Sequence, residues 1–254
     1  MKFTITRRWF SSLPSIEVEL GTEFDGANRR IQLGAAVKVA LNTGADLRGA
    51  VLTGAVLTGA DITGAVLTGA VLTGVVLTDA VLRGADLTGA FLTDADLRGA
   101  DLTGADLTDA VLTGADLTGA VLTGAVLTGA DLRGADLTGA VLTGAVLTGA
   151  DLTGADLTGV PVIPNIDLTI LAAIENGGRL RMANWHTCET THCRAGWAIH
   201  LAGEAGLKLE KKHGSAGAGA LIYAASRPGK PIPNFYASDA VAMADIRACA
   251  AEIA

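Results

Sequence analysis

The sequence predicts a mainly β fold: a four-sided parallel β-helix, with a β-hairpin and capping helix before it and a small α-rich domain after it. Three observations carry this. Residues 45–159 read as 23 consecutive five-residue units, nearly all Ala-(Asp or Val)-Leu-(Thr or Arg)-(Gly or Asp). Leucine holds the centre of every unit except at Ile62, and alanine stands two before it in every unit except at Val75. Residues 115–134 and 135–154 differ only by Arg133 against Thr153, which gives a longer period of 20 residues.

A helix does not fit this pattern, because five residues advance by about 500° and the leucines would wander round the axis. A continuous strand does not fit either. Alternation has a period of two, so an odd repeat would send successive leucines to opposite faces. The chain must turn in each unit. If each unit is one short extended side and a corner, Ala and Leu point inward, the residue between them points out, and the corner falls at Thr-Gly, where glycine relieves backbone strain. Four sides close a coil of 20 residues, and coils stack about 4.8 Å apart, so the repeats make nearly six coils and roughly 27 Å of tube. Burial of each leucine is worth about 2 kcal/mol, with alanine filling the narrow remainder of the core. The tube's ends expose apolar cross-sections and backbone groups, so caps are expected.

Outward positions fall into ladders when every fourth unit shares a side. One ladder carries Val56, Val76, Asp96, Asp116, Asp136 and Asp156; the next carries Val51, Val71, Phe91, Val111, Asp131 and Asp151. Drift between two tolerated residues accounts for this pattern most simply. The sharper expectation is a docking surface: Asp96, Asp116, Asp136 and Asp156 would repel one another unless a basic partner or bound cations compensate, and Val51, Val71, Phe91 and Val111 would offer an apolar patch. Threonine follows leucine in 19 units and Arg48, Arg83, Arg98 and Arg133 in the rest. Such threonine arrays resemble ice-binding solenoids, but they lie on all four sides and are interrupted by Arg and Asp.

Before the repeats, residues 2–6 and 15–20 alternate like two strands joined by a turn containing Ser11, Ser12 and Pro14. Residues 33–41 read as a helix with Leu33, Val37 and Leu41 on one stripe, placed to cover the first coil. After them, Pro161 and Pro164 end the tube. Asp167 is placed to cap a helix through about Glu175, and further helices are expected over residues 192–202, 217–226 and 239–253, the last capped by Ser238. The expected organisation is therefore 1–44, 45–160 and 161–254.

The formal net charge of −7 argues against a nucleic-acid coat and suits a basic protein partner. No run of about 18 uncharged apolar residues exists, so no membrane span is expected. Residues 1–10 carry no apolar stretch of the secretory kind, and Cys188, Cys193 and Cys249 make no disulfide framework, so a cytoplasmic protein is expected.

The units, such as Ala100-Asp101-Leu102-Thr103-Gly104, resemble the pentapeptide-repeat family, which implies a right-handed quadrilateral β-helix. The outward residue is Val in 11 units and Phe in one, against Asp in 11, which is more apolar than the family's usual Asp or Asn. The opening, with Lys2-Phe3, Arg8-Trp9 and the Leu33-Gly34-Ala35-Ala36-Val37-Lys38 run, resembles the heads of bacterial and phage members. The Cys188 to Trp197 stretch, Cys-x4-Cys-Arg-Ala-Gly-Trp, resembles a small domain that recurs in bacterial and phage proteins.

One cluster is chemically suggestive: His186, Cys188, His192 and Cys193 lie within eight residues. All four are zinc ligands by type, although adjacent His192 and Cys193 do not readily point at one ion. A reactive Cys193 with His186 as base lacks an orienting acid, and a Cys188–Cys193 disulfide is a further option. The favoured reading makes Cys188, Cys193, Trp197 and Leu201 the apolar heart of the small domain. His200 and His213 give no pattern.

The repeats offer no nucleophile, histidine or phosphate loop. The expected function is non-enzymatic protein binding or scaffolding without a cofactor, with association of copies through the C-terminal domain. Three alternatives stand beside it: mimicry of DNA against gyrase, which the resemblance implies for an acidic rod; a phage virion or assembly component; and a zinc or cysteine activity at the C-terminal cluster.

Overall fold

The computed structural model describes residues 1–8, 12–182, 186–188 and 191–252. Strands β1 (Lys2–Ile5) and β2 (Ile16–Glu19) pair antiparallel, Phe3 opposite Val18. Helix α1 (Arg29–Asn42) follows, its first turn capped by the Asn28 side chain, which accepts from the Arg30 N–H. Then comes the solenoid. After it lie α2 (Ile166–Glu175), β3 (Arg179–Leu180), β4 (His186–Cys188), β5 (Thr191–His192), α3 (Arg194–Leu201), α4 (Gly203–Ser226) and α5 (Asp239–Ala251). No helix of the described residues is long and apolar enough to cross a membrane.

Between α1 and α2, each outward residue bridges in parallel to the residue 20 positions on, from Val51 with Val71 to Asp136 with Asp156. The coil therefore has the 20-residue period read from the sequence, with four bridging units per turn. Backbone bonding can be accounted for unit by unit. Leu102 N–H donates to Val121 O in the next coil (2.7 Å) and Asp101 N–H to Ala80 O in the coil before (2.9 Å). Gly104 N–H donates to Thr123 O (2.9 Å), and Ala105 N–H closes the corner on Leu102 O (3.0 Å). The fifth donor, Thr103 N–H, is met by the Asp101 carboxylate at 3.0 Å.

The corner needs a left-handed residue. Glycine takes it in 20 units, and Asp79, Asp94 and Asp109 adopt φ of 54–56° in the others, short polar side chains being the best tolerated substitutes there. Inside, every central leucine (or Ile62) and every alanine (or Val75) from Ala50 to Leu152 is buried.

Both ends are partly covered by the chain itself. At the start, Arg7 bridges Ala50 and α1 lies against the first coil so closely that a Cβ on Gly34 would sit 1.9 Å from Val56 O. The stripe α1 buries is Ala36, Val37 and Ala40, with Leu33 and Leu41 only half-buried, and the helix begins four residues earlier than its apolar pattern suggests. At the far end, Ile232, between Pro231 and Pro233, exchanges both backbone bonds with the last coil: Gly149 N–H to Ile232 O (2.8 Å) and Ile232 N–H to Ala150 O (3.0 Å).

The C-terminal region is helical, as expected, with corrections. Asn165 precedes α2 in a left-handed conformation, and Asp167 is not its cap but a buried ion-pair partner. His192 belongs to β5, and α3 starts at Arg194 behind Cys193. Helix α4 begins at Gly203, well before residue 217, and breaks at Gly214 (φ 69°, ψ 169°) where it meets the solenoid. A three-stranded sheet, ordered β3-β5-β4, was not legible in the sequence. The expected hairpin residue Ser11 and helix end Ile253 lie outside the described residues.

Candidate interaction surfaces

Asp96, Asp116, Asp136 and Asp156 stand in register one coil apart, as do Val51, Val71, Phe91 and Val111. The carboxylates are not simply projected into solvent. Thr118 N–H and Oγ1–H both donate to Asp116 Oδ1 (3.0 and 2.5 Å), Thr158 does the same for Asp156 (2.9 and 2.6 Å), and Thr138 N–H donates to Asp136 (2.8 Å). An Asp-Leu-Thr unit thus forms a local side-chain turn that a Val-Leu-Thr unit lacks. These bonds fix each carboxylate in place, and the stacked aspartates stand one coil apart.

Arginines replace threonine where carboxylates crowd. Arg98 pairs with Asp96 (2.7 Å) and reaches Asp116 (3.6 Å), while Arg133 pairs with Asp131 (2.6 Å) and reaches Asp151 (3.9 Å). Arg83 spans coils to Asp101 (2.6 Å). The hydrogen bonds from Arg98 and Arg133 hold Asp96 and Asp131 below the usual carboxylate range, and Thr138 does the same for Asp136. All stay ionised near neutrality. Among the described residues, Asp136 and Asp156 pair with no arginine, and Asp116 meets only the edge of Arg98 (3.6 Å).

The apolar ladder is half-buried throughout, and the chain's own start reaches it: the Arg8 guanidinium lies 4.5 Å from the centre of the Phe91 ring, and Val51 N–H donates to Thr6 O (2.8 Å). The exposed outward valine of the repeats is Val66, at 42%.

In the C-terminal region, the side chains of His186 and Cys188 lie outside the described residues. Cys193 is buried and its Sγ accepts from Gly196 N–H (3.2 Å) as the cap of α3; burial pushes its thiol up, the opposite of what a reactive cysteine needs. The His192 ring is buried, edge-on to Trp197 (4.7 Å) and stacked on His200 (4.8 Å). Among the described residues, no three His, Cys, Asp or Glu side chains converge as metal ligands would. Leu201 is only half-buried.

Two features there escaped sequence reading. The first is a buried network: Arg194 and Asp167, each 1% exposed, pair at 2.5 Å, with Tyr223 Oη accepting from Arg194 (2.9 Å), Asp245 on its other nitrogen, and Arg227 on Asp167 (3.2 Å). It ties α2, α3, α4 and α5 together and floors a cavity of about 340 Å³ walled by Pro231, Ile232 and Val241. The second is His213, buried at the α4 break, whose Nδ1 accepts from Leu142 N–H of the last coil (3.4 Å).

His213 yields a pH prediction. Burial and then the neighbouring Lys212 charge push its pKa down from 6.5 to about 4. A depressed histidine contributes stability fully above its unfolded value and loses it as pH falls from 6.5 towards 4. Acidification across that window should cost on the order of 2–3 kcal/mol. The check is thermal melting at pH 7 and 4.5: the drop in Tm should shrink in His213→Gln, and an equal drop in both proteins would refute the assignment.

A family model for pentapeptide repeats matches in eight copies, over residues 43–74, 76–114, 92–129, 105–144 and 125–160. Among solved structures, HetL, a pentapeptide repeat protein involved in heterocyst differentiation regulation in the cyanobacterium Nostoc sp. strain PCC 7120, is 39% identical over 40% of this chain and 53% of its own, with a TM-score of 0.31. The chain thus spans about half the length of HetL. The pentapeptide repeat protein alr5209 from Nostoc PCC 7120 is 32% identical over 44% of this chain and 93% of its own (TM-score 0.36). One from the Arabidopsis thaliana thylakoid lumen is 35% identical over 46% and 74% (TM-score 0.31). No curated protein matches the chain.

Proposed function

Because this chain belongs to the pentapeptide-repeat family, we propose that it is a non-enzymatic protein-binding scaffold: a right-handed, four-sided rod over residues 45–160, capped by 1–44 and carrying 161–254 as a helical module. The rod's docking surface is the acidic second half, where Asp116, Asp136 and Asp156 stand beside Asp131 and Asp151 of the neighbouring side. What supports this is their fixed presentation. One carboxylate per coil is oriented by its own backbone turn and repeats at a rigid spacing, so a basic partner finds charge that costs no side-chain ordering.

The placement of Arg83, Arg98 and Arg133 among the stacked carboxylates breaks the continuous charge that duplex mimicry calls for, and favours a discrete basic surface on a protein. The test is a quantitative pull-down with Asp116→Asn/Asp136→Asn/Asp156→Asn, which keeps the acceptor for each local turn. Three exposed charge contacts are worth about tenfold in affinity. Partners should be captured about tenfold less by the variant and released by salt; equal capture would remove this reading.

A further inference from the structure

The starting edge of the solenoid is closed on two sides, open on the third and partly open on the fourth. On the first side, Val51 N–H donates to Thr6 O (2.8 Å) and Gly49 O accepts from Arg8 N–H (2.9 Å). On the second, Val56 N–H donates to Arg30 O (3.1 Å) and Gly54 O accepts from Arg30 Nε (2.6 Å). The corresponding donors on the third and fourth sides, Asp61 N–H and Val66 N–H, make no hydrogen bond among the described residues, while on the fourth side Thr68 O accepts from Gly49 N–H (3.0 Å). One coil further on, the same N–H groups are bonded, Val81 to Ala60 O and Asp86 to Ala65 O (2.9 Å each).

The fourth side is open at Val66 because the first unit pairs with it only at the corner, through Gly49 N–H. Asp46 forms no bridge to Val66, and the gap between them is a groove of about 480 Å³ lined by Leu41, Ala45, Thr63, Val66 and the paired Asp46 and Arg48 (2.5 Å). Val66 forms its exposed apolar wall, and the exposed Asp61 carboxylate stands on the adjoining side.

The chain shows what this edge accepts. Both segments that close it supply backbone groups together with an arginine on corner carbonyls: Arg30 on Gly54 O and Gly74 O (3.4 Å), and Arg7 on Asp46 O (2.5 Å) and Arg48 O. We propose that the open sides at Asp61 and Val66 bind an extended, arginine-bearing segment of a partner protein by strand addition. The segment's carbonyls take the two free N–H groups, its guanidinium groups reach Gly59 O, Gly64 O and Asp61, and an apolar side chain between them packs on Val66. A second copy is the poorer occupant: it would set Asp61 against its own counterpart in a chain of net charge −7. This site is separate from the acidic second half of the rod.

The experiment measures fluorescence anisotropy of a labelled Arg-Val-Arg-Val-Arg-Val peptide with the full-length protein, and amide hydrogen exchange of the complex. The proposal expects saturable binding, slowed exchange at Asp61 and Val66, about threefold weaker binding by Asp61→Asn, and at least tenfold weaker binding of the peptide N-methylated at its valines. Three outcomes would overturn it. Equal binding of the methylated peptide with slowed exchange around Asp116 to Asp156 would mean charge docking on the acidic faces, which leaves the preceding reading standing. No binding at millimolar peptide would remove strand addition. A protein that sediments as a dimer and takes no peptide would make a second copy the occupant.

Discussion

Replacing Arg194 with methionine is expected to destabilise the C-terminal region by about 3–5 kcal/mol, since removing one partner of a buried ion pair strands the other. Asp167 is 1% exposed and would keep Arg227, at 3.2 Å, and the Tyr223 Oη–H, at 3.4 Å, while Tyr223 would lose the Arg194 donor. Changing both partners, Arg194→Met with Asp167→Leu, should recover part of the loss, because an apolar pair of similar volume leaves only Arg227, at 14% exposure, without its carboxylate. Asp245→Asn is the control. That side chain is 52% exposed and water replaces much of what it gives, so the cost should stay below about 1 kcal/mol. Urea unfolding followed by tryptophan fluorescence separates the three, and equal losses in the single and double variants would show that packing, not charge, makes Arg194 important.

The second large effect is expected in the middle of the tube. Leu102 is fully buried between coils centred on Leu82 and Leu122, all three at 0% exposure. Leu102→Ala should cost about 2–5 kcal/mol, because a coil fixed by hydrogen bonds on both sides has little freedom to collapse into the vacated space. Leu102→Asp should abolish folding of the solenoid. Val121→Ala, on the half-buried outer wall one coil on, should cost less than about 1 kcal/mol. Thermal unfolding followed by circular dichroism is the measurement, and comparable losses at Leu102 and Val121 would contradict the inward placement of leucine.

What the sequence made legible was whatever repeats. A five-residue period with leucine and alanine two apart admits few foldings, and the near-identity of residues 115–134 and 135–154 carried the coil length directly. The outward aspartates were placed on the correct ladders, but their local role was missed, since Asp-Leu-Thr reads as composition until the carboxylate is seen closing on the Thr N–H. The one-off features were not legible. Nothing in Pro231-Ile232-Pro233 marks it as an added strand, because the partner edge lies more than 80 positions away. Asp167 looked like a cap because Asp before an apolar run usually is one. Its partner Arg194 becomes visible only when α2 and α3 meet. The first half of α4, with Gly203, Gly206 and Gly214 among its residues, lacks the propensity that announces a helix. It is held by Gly206 approaching Ile199 closely and by His213 on Leu142.

The 20-residue coil is the claim on which the ladders, the caps and both surfaces rest, and spin-label distances test it most directly. Labels on cysteines at Val121 and Val141 should broaden each other strongly, because residues 20 apart bridge one coil spacing, about 4.8 Å, from each other on the same side. Labels at Val121 and Asp131, two units apart, should point away from each other across the tube and show no such broadening. Strong coupling in the second pair, or none in the first, would contradict the solenoid described here.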